Sequence, residues 1–248
     1  MLLSAGAVYG LAATSAFGFS RLEIQGSTIT PEATIRDALA LSEGQNLFEI
    51  STDPLAARLR EIPAIESATI SIGLPGTVAV RIEERQPILV WRLGDRQLLV
   101  DRSGLLFARV NGAASASVAA LPVIIDTRAA SRQLAVGNTV DAIDLDAATR
   151  LASLTPAAIG SGATSLAVSV TDANGFVVRT VPENWVAIFG FYGRSLRTTE
   201  LVPGQVQALH ELLLKVGEST VAQVILGDDR AGTLIPKASP SPSSTKKP

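Results

Sequence analysis

The 248-residue chain has no cysteine and one histidine, His210. Without cysteine there is no disulfide framework, thiolate chemistry or cysteine zinc site, although the compartment stays open. A single histidine with no serine–acid arrangement around it supports neither a triad nor a metal site, and His210 reads as a surface or half-buried helix residue. Lysine occurs only at 215, 237, 246 and 247, and the net charge is −2. With no basic helix and no arginine–aromatic stripe, the chain lacks the electrostatic footprint of a nucleic-acid binder. Charge is also missing from the N-terminus, where the first charged residue is Arg21.

What is present is apolar, at 47% of the residues, enough for a sizeable core. Residues 1–19 are rich in Ala, Leu and Gly and have roughly the length of a membrane-spanning helix. Three readings compete: a transmembrane anchor, a signal peptide with Thr14-Ser15-Ala16 as a weak cleavage site, and a buried helix of a soluble domain. No Lys or Arg precedes the run, so the charge rule for orientation is silent. At the other end, residues 237–248 (KASPSPSSTKKP) are Pro/Ser-rich, polar and expected to be disordered.

From Arg21 the pattern becomes periodic. Leu22 and Ile24 share one face of a short strand ended by Gly26. Thr30-Pro31-Glu32 reads as a helix start with Thr as cap, and Ile35, Ala38 and Leu39 follow at helical spacing. Asp53-Pro54 repeats that start ahead of Leu55, Leu59 and Ile62. Ala68, Ile70 and Ile72 alternate, Leu74-Pro75-Gly76-Thr77 forms a turn, and Val78, Val80 and Ile82 alternate again, which makes a β-hairpin. The order β-α-α-β-β predicts a three-stranded sheet with both helices on one face.

Beyond Trp91, Gln97–Val100 and Leu105–Phe107 read as strand, turn, strand, with Asp101 and Gly104 between them. Leu121–Ile125 is a buried strand, and residues 111–120 form a loop of small residues. Asp141–Leu154 is a helix with Ile143, Ala147, Leu151 and Leu154 on one face. Leu166–Val170 and Phe176–Thr180 flank Asn174-Gly175, a strong hairpin signal. Trp185–Gly190 is another strand. A last helix opens at Pro203-Gly204 and carries Val206, Leu209, Leu213 and Val216 as its stripe. Ala222–Leu226 and Gly232–Ile235 are the final strands.

Groups that could carry catalysis do not assemble. Gly160-Ser161-Gly162 is isolated, with no lysine following, so it is no phosphate loop. Asp228-Asp229 reads as a solvated turn, and Glu83-Glu84-Arg85 as a surface charge network, with Arg85 and Pro87 shaping the domain junction. No catalytic, cofactor-binding or metal-ligating residue is assigned, and neither a cofactor nor a small-molecule substrate is expected.

The phrases Leu22-Glu23-Ile24-Gln25-Gly26, Gly44-Gln45-Asn46-Leu47-Phe48, Ile62-Pro63-Ala64-Ile65-Glu66-Ser67-Ala68, Leu74-Pro75-Gly76-Thr77-Val78 and Glu84-Arg85-Gln86-Pro87 together resemble a POTRA domain of the FtsQ/DivIB type of bacterial division proteins. Ala64 departs from the bulky residue usual there. Asp101-x-x-Gly104-x-x-Phe107 extends the resemblance, which covers about residues 19 to 236. It implies an α+β chain: a transmembrane anchor at 1–19, a POTRA domain at 20–91, a mostly antiparallel β domain with a few helices at 92–236, and the disordered tail at 237–248. It further implies a non-enzymatic, single-pass scaffold of the divisome in the inner (plasma) membrane at the septum. The bulk of the chain would lie outside the cytoplasm and hold small bitopic partners of the FtsB/DivIC and FtsL types. The alternative is a POTRA-bearing envelope assembly or secretion factor not dedicated to division. A terminal strand offers unpaired backbone groups to a partner strand, so Val224, Ile225, Leu226, Thr233, Leu234 and Ile235 are the candidate partner contacts.

Overall fold

The computed structural model describes residues 17–112, 114–182, 184–195 and 197–237. The expected anchor lies outside these residues except for its last three, and so does all but the first residue of the tail. Among the described residues no helix is long and apolar enough to cross a membrane. The chain divides into two units, Met1–Gln86 and Pro87–Pro248.

In the first unit, β1 (Arg21–Gln25), α1 (Glu32–Leu39), α2 (Thr52–Arg60), β2 (Ile65–Gly73) and β3 (Thr77–Glu84) follow the expected β-α-α-β-β order. The sheet order is β1-β3-β2, with β1 parallel and β2 antiparallel to β3. Ile70 lies opposite Val80, and Ile72 opposite Val78. These residues pack with Ile35, Leu39, Leu55 and Leu59 in one core. Each fully buried aliphatic side chain of this kind contributes roughly 1.5–3 kcal/mol.

The helix starts differ in detail from the sequence reading. Pro31, not Thr30, occupies the position before α1, with no side-chain cap. The backbone N–H of Thr30 instead donates to Glu84 at 2.6 Å. Ile29 N–H, Thr28 N–H and the Thr28 hydroxyl donate to the same carboxylate. Glu84 is therefore no member of a surface network. It is a buried side chain that gathers the free amides ahead of α1, where a negative charge also suits the helix dipole. Burial raises its pKa, but the bonds from Thr28, Thr30 and Ile29 outweigh burial and hold it below the ordinary value. Its neighbours are spent locally: Glu83 accepts from the Ser67 hydroxyl, and Arg85 donates to the Pro63 carbonyl.

The second unit is one nine-stranded sheet. Its strands are β4 (Leu89–Leu93), β5 (Arg96–Val100), β6 (Leu106–Arg109), β7 (Val123–Asp126), β8 (Ser165–Thr171), β9 (Gly175–Val181), β10 (Val186–Gly190), β11 (Val221–Leu226) and β12 (Gly232–Pro236). The order is β12-β11-β10-β9-β8-β7-β4-β5-β6. Leu89 to Trp91, read from sequence as the end of the first domain, lie in a central strand here. Five neighbouring pairs are antiparallel and three parallel, the parallel ones being β10–β11, β4–β7 and β7–β8.

Among the described residues three α-helices accompany this sheet: α3 (Ala116–Ala119), α4 (Ala142–Ala152) and α5 (Val202–Val216). The short α3 sits inside the stretch expected to be loop. Asp141 caps α4 by accepting from Ile143 N–H, and Leu145, Ala147, Ala148 and Leu151 face the core. On α5 the buried stripe is Val202, Gln205, Leu209 and Leu213. Val216 is exposed and a glutamine is buried, so the stripe is rotated from the expected one. His210 is half-buried, as expected, with its ring against Gly160.

Both tryptophans are fully buried in this unit, and each indole N–H meets a carboxylate. Trp185 donates to Glu218 at 2.7 Å, and Trp91 to Asp126 at 3.1 Å. Asp126 also pairs with Arg128, whose other arm reaches Asp144. Burial raises the Asp126 pKa, and the bonds from Arg128 and Ser131 outweigh it and lower the value. A cavity of about 350 Å³ lies beside this cluster, lined by Leu93, Arg96, Asp126 and Arg128 among others. Two of its arginines are engaged, Arg128 with the two carboxylates and Arg96 with the carbonyls of Leu134 and Arg132.

Candidate partner-binding edge

The two ends of the nine-stranded sheet are built differently. At the β6 end the start of the strand is covered: Leu106 N–H donates to Asn138 C=O, Gly137 N–H donates to Leu106 C=O, and Leu105 bridges Thr139. The turn leading into β6 is fixed by Asp101, which accepts from Ser103 N–H, the Ser103 hydroxyl and Leu105 N–H. Gly104 in that turn has φ +86°, and a Cβ there would sit 3.0 Å from the Val140 carbonyl oxygen. The Asp101-x-x-Gly104 phrase is thus a turn that fixes the entry to β6.

At the other end, β12 is the outermost strand and, among the described residues, pairs with β11 alone. Gln223 lies opposite Ile235, Val224 opposite Leu234, and Ile225 opposite Thr233. Lys237 N–H donates inward to Thr220 C=O. Backbone groups alternate along a strand, so Ile235 and Thr233 also point toward β11, while Leu234 and Gly232 turn their N–H and C=O groups outward. Pro236 offers outward only a carbonyl. The open row thus centres on Leu234.

The six candidate residues separate by role. Val224 and Leu226 are buried, and Leu234 packs on the same core. Ile225, Thr233 and Ile235 are exposed on the opposite face. Ile225 also pairs in parallel with Ile188 of β10, so the backbone of β11 is flanked on both sides. The outward-facing backbone groups therefore lie on β12, and Ile225 and Ile235 are exposed on one face of this end.

A polar network that the sequence reading missed holds this end in place. Arg197 donates to the carbonyls of Phe189, Leu226 and Gly227, where β10 and β11 end. Gln205, fully buried on α5, donates to the Phe189 and Leu226 carbonyls at 3.3 and 3.1 Å. The Tyr192 hydroxyl donates back to Gln205 at 2.8 Å, and burial pushes the tyrosine pKa up. The Arg197 guanidinium sits 5.8 Å from the Tyr192 ring centre. One legible signal was a lone glutamine in an otherwise apolar helical stripe. Asp228 folds the turn before β12 by accepting from Arg230 and Ala231 N–H, and those bonds lower its pKa. That is the solvated turn expected of Asp228-Asp229. Gly204 of α5 abuts it: a Cβ there would meet Asp229 Cβ at 2.5 Å.

Residues 17–85 match the family described as POTRA domain, FtsQ-type. This stretch is an FtsQ-type POTRA domain. The chain is also similar to proteins named cell division protein FtsQ from several bacteria. It is 29% identical to that of Streptomyces venezuelae over 46% of this chain and 42% of the relative. It is 28% identical to that of Corynebacterium glutamicum over 34% and 37%, and 27% identical to that of Rickettsia typhi over 39% and 36%. Each match spans less than half the length of the relative. The POTRA core described above, with its Glu84 clamp, falls within the matched residues.

Proposed function

We propose that this chain is a non-enzymatic, membrane-anchored scaffold of the bacterial divisome, tethered by residues 1–19. It binds small bitopic partners of the FtsB/DivIC and FtsL types by strand addition during septum formation. The observation that carries this reading is the asymmetry of the large sheet: the start of β6 is covered by residues 137–139, while among the described residues β12 has no strand on its outer side. The similarity to FtsQ proteins supports the cell-division context. A partner strand would take the Leu234 N–H and C=O, and its side chains would meet Ile225 and Ile235.

Co-purification of the full chain with a co-expressed bitopic partner tests the reading. Leu234→Pro removes the central outward donor at a position where an edge strand tolerates proline. Losing one such hydrogen bond costs about 1 kcal/mol or more, so capture should fall about fivefold to tenfold. Thr233→Pro removes an inward donor and loosens β11–β12 instead, a change visible by circular dichroism. Undiminished capture by a folded Leu234→Pro chain overturns strand addition at β12.

A further inference from the structure

The POTRA domain carries an apolar rim at the end where the chain comes in from residue 16. Gly18 bridges Asn46, Phe19 N–H donates to Gln45 C=O, and Gly44 N–H donates to Phe19 C=O. On the opposite side, Ser20 and Arg21 N–H both donate to Gly76 C=O. The incoming segment is thus clasped between the 44–48 loop and the 74–76 turn, and each of these presents a large apolar side chain to solvent. Phe48 is 56% exposed and Leu74 57%. The Phe17 ring meets the Phe48 ring edge-on at 5.3 Å between centres. None of the three belongs to the core of the domain.

Exposed phenylalanine and leucine concentrated at one end of a small domain need an apolar neighbour. The sequence supplies a reason for one here: the sixteen residues immediately ahead of Phe17 carry no charge. Resting on the reading of residues 1–19 as a membrane anchor, we infer that Phe17, Phe48 and Leu74 seat in the interfacial layer of the bilayer. They dock the POTRA domain on the lipid surface instead of leaving it to swing from its tether. The charges around the rim do not form a basic patch, with Glu43 and Glu49 flanking the 44–48 loop and Arg21 beside Glu23 on β1, so the contact is apolar and does not depend on anionic lipid.

The absence of cysteine makes the test direct. Phe48→Cys and Leu74→Cys are substitutions at exposed sites, and each gives a full chain with one labelling position. Gln25→Cys, at the far end of β1 and about 13 Å further along the strand, is the control. Each chain is labelled with an environment-sensitive fluorophore, reconstituted into phosphatidylcholine vesicles and floated on a density gradient. The expected result is that quencher-bearing lipids at least halve the emission at positions 48 and 74 and spare position 25, with aqueous iodide doing the reverse. Floated protein whose rim labels behave like the control overturns the inference and leaves the anchor standing. Rim labels shielded from both quenchers also overturn it, because protein then covers the rim. Protein that fails to float overturns the anchor and the inference together.

Discussion

Glu84 in the first unit and Asp126 in the second are buried carboxylates in different settings. Glu84 is met by uncharged donors, three backbone amides and a hydroxyl from Thr28 to Thr30. Asp126 is met by a guanidinium and an indole, and its charge is shared onward through Arg128 to Asp144. The first arrangement needs only a loop with unsatisfied amides ahead of a helix. The second needs three separated side chains brought together by β4, β7 and α4. Losing a carboxylate should therefore be milder in the POTRA domain, where the loop amides can turn to water. In the sheet domain it leaves a buried indole N–H and a half-buried arginine.

The sharpest way to break this comparison is to remove Asp126. Asp126→Ala should destabilise the sheet domain by ~3 kcal/mol or more, since it breaks a buried ion pair from one side. Both tryptophans lie in that unit, so fluorescence-detected urea denaturation reads it alone, and the midpoint should drop sharply. Glu84→Ala should cost the POTRA domain about 2 kcal/mol, the penalty of orphaned but partly hydratable amides. That loss should appear in far-ultraviolet circular dichroism and leave the tryptophan transition where it was. Equal costs in the two units, or a tryptophan shift from Glu84→Ala, would undo the contrast.

Acid sharpens it further. Both carboxylates have folded pKa values lowered from their ordinary ones. Their contributions are in place above the unfolded values, about 4.3 for Glu and 3.9 for Asp, and are lost as pH falls through the folded values. Both units should weaken below about pH 4.5, and Glu84→Gln should flatten the POTRA domain's share of that slope. A smaller effect is expected at the entry to β6. Gly104→Ala, at positive φ and against the Val140 carbonyl, should cost roughly 1–2 kcal/mol by the same fluorescence assay. Smallest of all, Ile225→Thr on the exposed face should move stability by less than about 0.5 kcal/mol while weakening partner capture.

The order of elements was legible because it rests on local signals. Alternation at Ala68–Ile72 and Val78–Ile82 and helical spacing at Leu55–Ile62 gave the POTRA core. Asn174-Gly175 gave a hairpin whose glycine has φ +62° and lies against the Gly190 carbonyl. Asp141 stood one residue before the helix it caps. Contacts made across long separations were not legible. Glu84 meets Thr28 across 56 positions, and nothing near Glu84 distinguishes it from a surface acid. Gln205 and Arg197 satisfy carbonyls that exist as free groups only because two parallel strands end side by side. The candidate edge was found as a stretch of sequence, but which of its backbone groups face outward depends on the register against β11. That register moved the weight from Thr233 and Ile235 to Leu234, and it placed Val224 and Leu226 inside.

From β7 to β12 the sheet is completed in chain order, each strand adding beside the one before it. Of the nine strands described, β12, the outermost at that end, is the last to leave the ribosome, and β11 beside it is next to last. Until residues 232–236 emerge, β11 is itself an edge, with Gln223 and Ile225 pointing out where β12 belongs. A nascent or clipped chain would therefore display a false edge, with a different register and different side chains. The true surface exists only on a chain made through Pro236. Partner binding at β12 would in that way double as a check that the sheet domain is finished.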